Sequence, residues 1–249
     1  MQSQNMVQKA IDILDYVSSH PKGVSLSAIV KDLGFPKTTV HDILKTMKLN
    51  DFVQYIKPDK KYYCIGAQVY AIGFTFLESS NLFKCAQPYL ILLADKYEKT
   101  SFLSKRHHDR VICVYKYASP HAKAPTGNIG DQKRLHSTAI GKCYLAFDPD
   151  AASLIDTIDM PAFTSYTITD RDRLKEHIEE LRVLGYSWEK RESHQKMACL
   201  AAPIFSQDIM IGTISMTGWY REEEDFSTQG NEIAQLAKLI TVQMEQNEQ

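Results

Sequence analysis

A single glycine, Gly34, separates two short stretches whose apolar residues recur at helical spacing. This junction restricts the fold of residues 7–65 more than any other feature of the chain. Upstream, Val7, Ala10, Ile11, Leu14 and Val17 follow helical spacing, a run that ends at His20-Pro21-Lys22-Gly23. Ser25 stands where an N-cap belongs, before a short helix with Leu26, Ile29, Val30 and Leu33 inside. Gly34 supplies the tight turn, with a positive φ that a side chain would resist, and Phe35-Pro36 restarts the chain. In the third helix Val40, Ile43, Leu44 and Met47 face inward, leaving Thr38, His41, Asp42 and Lys45 on the opposite face. "FVQYI", a polar "KPDK" turn and "KYYCIG" then read as a β-hairpin with Lys57, Lys60 and Lys61 near its tip. In that order the parts make a winged helix-turn-helix.

The charge of this segment suits a polyanionic partner. Residues 1–61 hold nine Lys and six Asp with no Arg or Glu, a formal +3, which leaves 20 cations against 24 anions, or −4, on the rest. The third helix of such a head enters the major groove with its N-terminal residues at base edges, here Lys37, Thr38, Thr39 and His41. The first Arg is Arg106, so the bidentate Arg–guanine contact is unavailable to the head, and Lys37 has to replace it without the planar fork. Asp42 either accepts from a cytosine amine or stands as a solvated surface residue. The candidate contacts to duplex DNA are Ser25, Lys37, Thr38, Thr39, His41, Asp42, Lys45, Lys57, Lys60 and Lys61. With lysines on phosphates as the main source of affinity, binding should weaken steeply with salt.

"IGAQVYAIGFTFLESSNL" continues as a helix with Ile65, Val69, Ile72 and Phe76 on one stripe. Its apolar surface needs a cover, either the same helix of a second chain or the chain's own second domain. Beyond it the pattern turns α+β: a helix in "FKCAQPYLILLADKYEK" and a hairpin turning at His108-Asp109-Arg110. A polar loop, "SPHAKAPTGNIGDQKR", leads to an amphipathic helix in "LHSTAIGKCYLAF". A helix over 170–184 follows, with Thr169 as N-cap and Gly185 as its stop. The strands "GYSWE", "KMACLAAPIFS" and "MIGTISMTG" come next, the last two joined at Gln207-Asp208, and a closing helix ends the pattern. An antiparallel sheet with helices at both ends is expected to enclose a pocket.

Catalysis finds little support. His194 and Cys199 are five residues apart, an odd separation that puts them on opposite faces of a strand. His107 and His108 are adjacent and so expected to diverge, Gly127 and Gly130 are too isolated to cradle a phosphate, and no nucleophile elbow, P-loop or H-E-x-x-H occurs. The five Cys (64, 85, 113, 143, 199) are scattered without a C-x-x-C pair, which fits reduced thiols in a cytoplasm rather than disulfides or a metal. No signal-peptide pattern opens the chain, and no apolar run approaches the roughly 18 residues that span a bilayer. The expectation is a cytoplasmic protein with no catalytic residue, metal or cofactor.

"RLHSTAIGKCYLA" (134–146), "LRVLGYS" (181–187), "ACLAAPIF" (198–205) and "TISMTG" (213–218) resemble the IclR family of bacterial transcription regulators, and "FPKTTVHDILKTM" and "YYCIG" match its DNA-binding module in order and spacing. The resemblance runs from about Val7 to the last helix. It implies a winged helix-turn-helix over residues 3–65, a linker helix over 66–81 and a GAF-like effector-binding domain over 82–249, assembled as a homodimer or a dimer of dimers. It further implies a regulator, a repressor by expectation, whose grip on a DNA operator responds to a small organic acid; the alternative reading of the chain is a sensor or scaffold whose helix-turn-helix contacts protein rather than DNA. Carried over residue by residue, Ala139 and Ile140 would offer backbone donors at the start of the "STAIGK" helix, with Glu189, Met197, Cys199, Ser215 and Thr217 opposite. A helix N-terminus can hold a carboxylate without an Arg. Asp42 stands where the family usually has Arg, His41 where it often has Tyr, and Gln195-Lys196 where a Gly is common, so operator and ligand do not transfer from relatives.

Overall fold

A computed structural model describes residues 5–57 and 60–247. The chain divides after Ser79 into two compact units. In the first, α1 (Met6–Ser18) is capped by Asn5, whose side chain accepts from the Val7 amide. Its inward stripe is Ala10, Ile13, Leu14 and Val17, with Ile13 fully buried. Val7 and Ile11, which share the helical spacing, are 63% and 48% exposed. The two-residue strand β1 (Val24–Ser25) leads to α2 (Leu26–Leu33), where the Ser25 hydroxyl accepts from the Ala28 amide as expected of an N-cap. Gly34 turns the chain at φ +69°.

Helix α3 (Lys37–Leu49) buries Val40, Ile43 and Leu44. The hairpin is β2 (Val53–Lys57) and β3 (Lys60–Ile65), and β1 adds to it in the order β1-β3-β2. That third strand went unforeseen because two residues carry no periodicity. Ser3 and Gln4, where the head was expected to begin, the turn residues Pro58 and Asp59, and the side chains of Lys57 and Lys60 lie outside the described residues. Helix α4 (Ala67–Ser79) has no buried residue. It was expected to run on to Leu82, but the chain breaks at Ser80, whose hydroxyl accepts from the Phe83 amide and so starts α5 (Asn81–Tyr97).

The second unit is a three-layer α+β domain. Its sheet holds β4 (Thr100–His107), β5 (Arg110–Ala118), β6 (Gln132–Arg134), β7 (Ser187–Lys190), β8 (Met197–Ser206) and β9 (Ile209–Trp219). They lie in the order β6-β5-β4-β9-β8-β7, all antiparallel. Helices α5 and α9 (Phe226–Asn247) cover one face, with Leu90, Leu93, Ile233 and Ile240 packed on Leu103, Ile214 and Met216. Helices α6 (Ala139–Phe147), α7 (Pro149–Ala152) and α8 (Arg171–Leu184) cover the other, around Leu145, Leu174, Ile178 and Leu181. Each such buried side chain contributes about 1.5–3 kcal/mol.

Several expectations need correction. Strand β6 lies inside the segment expected to be a polar loop; an edge strand of Gln, Lys and Arg gives no apolar alternation to read. Helix α6 is not amphipathic: every residue from Ala139 to Ala146 is buried, Lys142 included, because it lies between the sheet and α8. A β-carbon on Gly141 would sit 2.4 Å from the Arg134 carbonyl oxygen, so only glycine lets α6 approach that backbone. Helix α8 is capped by Asp170, not Thr169: the Asp170 carboxylate accepts from the Arg173 amide at 2.9 Å. Gly185 stops it in the left-handed region as expected. His108 takes a φ of +53° in the β4–β5 turn, which brings its ring to 4.4 Å from that of His107 instead of letting the two diverge.

Candidate functional sites

On the head, the exposed face of α3 presents Lys37, Thr38, His41, Asp42 and Lys45, with Thr39 half-buried at the first turn. The face is open because the inward residues occupy the opposite side of the same helix. His41 Nδ1 and Asp42 Oδ1 are 3.3 Å apart, so the aspartate in the reading helix has a neighbour on its own element. Ser25 is half-buried with its hydroxyl engaged as the cap of α2, and Lys61 is exposed on β3. Lys48, exposed on the same helix, has its ammonium 4.9 Å over the ring of Tyr55.

In the second unit a cavity of about 300 Å³ opens between the sheet and the start of α6. Ile140, Glu189, Met197, Cys199, Ser215 and Thr217 all line it. Strand register explains the convergence: Glu189 of β7 stands opposite Cys199 of β8, which stands opposite Thr217 of β9, and Met197 and Ser215 lie two residues away on the same face. Ala139 is the exception. It is wholly buried outside the lining, with its carbonyl accepting from the Ser187 hydroxyl at 2.7 Å. Thr138 caps α6 by accepting from the Gly141 amide, and the first N–H groups of a helix have no acceptor within it.

Further lining residues come from strands as well as irregular segments, with Phe102 on β4 and Cys113 on β5. Lys133 and Gly127 belong to the 119–134 segment, and Ser193 and His194 to the β7–β8 turn. Lys133 brings a positive charge to the wall, with its ammonium 3.0 Å from Asp131. His194 sits in the turn and not on β8, so it lines the same cavity as Cys199; the strand parity that separated them does not apply. Burial nevertheless pushes the Cys199 thiol up to about 12, the reverse of an activated nucleophile. Among the described residues no group of three or more His, Cys, Asp or Glu side chains is placed to hold a metal ion.

Glu189 is the wall's unusual acid. Burial pushes its pKa up to about 7, with the neighbouring Glu192 acting in the same sense; bonds from Ser193 and the Glu192 amide, and the Lys142 charge, offset only part of this. Its Oε2 accepts from the Glu192 amide at 2.8 Å and its Oε1 from the Ser193 hydroxyl at 2.7 Å. Beside it Lys142 and Glu192 form a buried pair at 2.5 Å, in which burial pulls the ammonium pKa down and pushes the carboxyl up. The 164–168 segment hangs on the same turn: the Thr164 and Thr167 hydroxyls donate to the Arg191 and Glu192 carbonyls at 2.7 Å each, and the Arg191 guanidinium stacks 4.0 Å from the Tyr166 ring.

A winged helix-turn-helix followed by a sheet domain with a small-molecule cavity is the build of a DNA-binding transcriptional regulator. Comparison with known proteins specifies which kind. Residues 6–56 match the IclR helix-turn-helix domain, and residues 74–241 match the bacterial transcriptional regulator IclR C-terminal domain. The chain belongs to the IclR family of bacterial transcriptional regulators. It is 30% identical over 213 residues to the glycerol operon regulatory protein of Streptomyces coelicolor, covering 85% of this chain and 84% of that one. It is 26% identical to the transcriptional repressor IclR of Escherichia coli, over 80% of this chain and 74% of that one. The fold matches an IclR transcriptional regulator from Alicyclobacillus acidocaldarius with a TM-score of 0.86 at 24% identity, covering 97% of this chain and all of that one. It also matches an IclR homologue from Microbacterium hydrocarbonoxydans complexed with 4-hydroxybenzoate, with a TM-score of 0.81 at 16% identity over 97% of this chain and 100% of that one. No helix among the described residues is long and apolar enough to cross a membrane.

Proposed function

We propose that this regulator represses transcription in the cytoplasm by binding a pseudo-palindromic operator as a homodimer or a dimer of dimers, and that a small organic acid in the second unit's cavity changes its operator affinity. The observation that carries the reading is the meeting, in one cavity, of six side chains from α6, β7, β8 and β9 with the Lys133 ammonium. That wall joins an apolar floor, alternating hydroxyls and a positive end, which suits a small carboxylate with a hydroxyl or ring. A similar fold holding 4-hydroxybenzoate supports this ligand class. Lys37, Thr38, Thr39, His41, Asp42 and Lys45 on α3 form the reading face, with Ser25, Lys57, Lys60 and Lys61 as outer contacts. α4 serves as the linker and self-association helix between residues 66 and 81, joining a head over 3–65 to an effector domain over 82–249.

A carboxylate with differential affinity for two head spacings would shift DNA affinity by its preference for one of them. The test is a thermal-shift screen of small aromatic and aliphatic carboxylates, followed by anisotropy of the genomic DNA fragment that the protein retains best. A carboxylate that raises the melting temperature and alters DNA affinity, and does neither in Ser215→Ala, supports the reading. DNA binding that no carboxylate in the screen changes, together with an unshifted melt, would overturn the effector half of it.

A further inference from the structure

One cleft of the head shares His41 and Lys45 with the reading face and extends from it to the hairpin. It lies between α3 and the β2–β3 hairpin, has a volume of about 180 Å³, and is lined by His41, Lys45, Lys48, Leu49, Tyr55 and Tyr63. Three of these six are cationic or can become so, and none is acidic. Its back is rigid. Tyr63 is buried, its ring centre lies 5.0 Å from that of Tyr55, and the two hydroxyls are 3.4 Å apart. Burial raises the Tyr63 pKa, with the Tyr55 contact acting in the same sense; either hydroxyl can donate across this contact, and when Tyr63 donates the Tyr55 hydrogen is left for an outside acceptor. Lys48 is laid along the Tyr55 ring, its ammonium 4.9 Å from the ring centre, and Lys45 stands one helical step away.

Position decides what such a cleft can meet. When α3 lies in the major groove, the hairpin beside it reaches toward the neighbouring groove, and what divides two grooves of a duplex is a sugar–phosphate strand. We propose that this cleft seats one phosphodiester group of that dividing strand, with Lys45 and Lys48 neutralising it and the Tyr55 hydroxyl donating to it. The proposal rests on the DNA-binding reading above and adds Lys48, Tyr55 and Tyr63 to it. A volume of 180 Å³ admits such a group with a few waters, at about 30 Å³ for each water. An ammonium pair and a phenol discriminate no base, so the seat fixes register and contributes affinity without sequence preference.

Two probes test this: a random-sequence duplex and the genomic fragment that the full-length wild-type protein retains best. Affinity for each is measured by anisotropy between about 50 and 200 mM salt. Lys48→Gln should lower affinity three- to tenfold on both probes and flatten the slope of log affinity against log salt by about 0.9, while Lys48→Arg keeps the wild-type slope. Tyr55→Phe should lose about two- to tenfold on both probes with the slope unchanged, because a neutral donor displaces no counterion. Tyr63→Phe should loosen the same hydroxyl and give a smaller loss in the same pattern. Wild-type affinity and slope in both Lys48→Gln and Tyr55→Phe would overturn the phosphate seat and leave DNA binding by α3 standing. Loss confined to the genomic fragment would overturn it in favour of base reading. A wild-type protein that binds neither probe at low salt would overturn the seat and the DNA-binding reading together.

Discussion

Glu189 shows how one residue's surroundings set its chemistry. In the fold it holds its proton up to about pH 7, whereas in the unfolded chain it releases it near 4.5. Between those values the folded state binds more protons than the unfolded one, so stability from this group is fully present below pH 4.5 and falls as pH rises to 7. The fall is on the order of 3 kcal/mol. Glu189→Gln resembles the protonated acid, accepting from the Glu192 amide and donating to Ser193. Its urea-unfolding free energy should therefore vary less than wild type's between pH 4.5 and 7; parallel pH profiles for the two proteins would show that the proton is not held there. The residue was legible as a wall candidate through the family resemblance, but its shifted acidity was not. Burial comes from α6 and from a turn 50 residues along the chain from Lys142, and no local pattern encodes that meeting.

At the scale of elements, what could be read from the sequence followed locality. The caps at Ser25 and Gly185 and the left-handed Gly34 were legible because the sequence signal and the geometry lie within a turn of each other. The cap of α8 was misplaced by one residue, and the two candidates make different predictions. Asp170→Ala should cost about 1 kcal/mol in chemical denaturation and Thr169→Ala close to none; equal losses would deny Asp170 its role. Helix α6 was misread because a lysine in an apolar stretch looks like a solvent face, while here Lys142 is buried on Glu192. Lys142→Met should lower stability by about 3–5 kcal/mol by stranding a buried carboxylate, and adding Glu192→Leu should recover much of it. A double variant no more stable than the single one would show that the pair does not act as a unit. Strand β6 and its Lys133 escaped notice for another reason: a polar edge strand acquires its place only from the sheet it joins.

For the molecule as a whole, α4 is the element left uncovered. Tyr70 is 75% exposed, and Ile72 and Phe74 are exposed on the same 13-residue helix, apolar surface that association between copies would remove from water. Ile72→Glu with Phe74→Glu should shift sedimentation velocity toward the monomer and weaken binding to a two-half-site DNA far more than to a single half-site. A wild-type protein that sediments as a monomer at micromolar concentration would refute this role for α4.

The bonds around Glu189 extend beyond the cavity wall. The carboxyl group pins the backbone at 192–193, and the carbonyls just before it hold the two threonines of the outer 164–168 segment. Occupancy of an interior acid is thereby tied to the order of an exterior stretch of chain. Removing the anchor with Glu189→Ala should quicken amide deuterium uptake across 164–168 at constant pH, while α9, on the far face of the sheet, exchanges as before. If uptake there is unchanged, the outer loop is held independently of the acid inside.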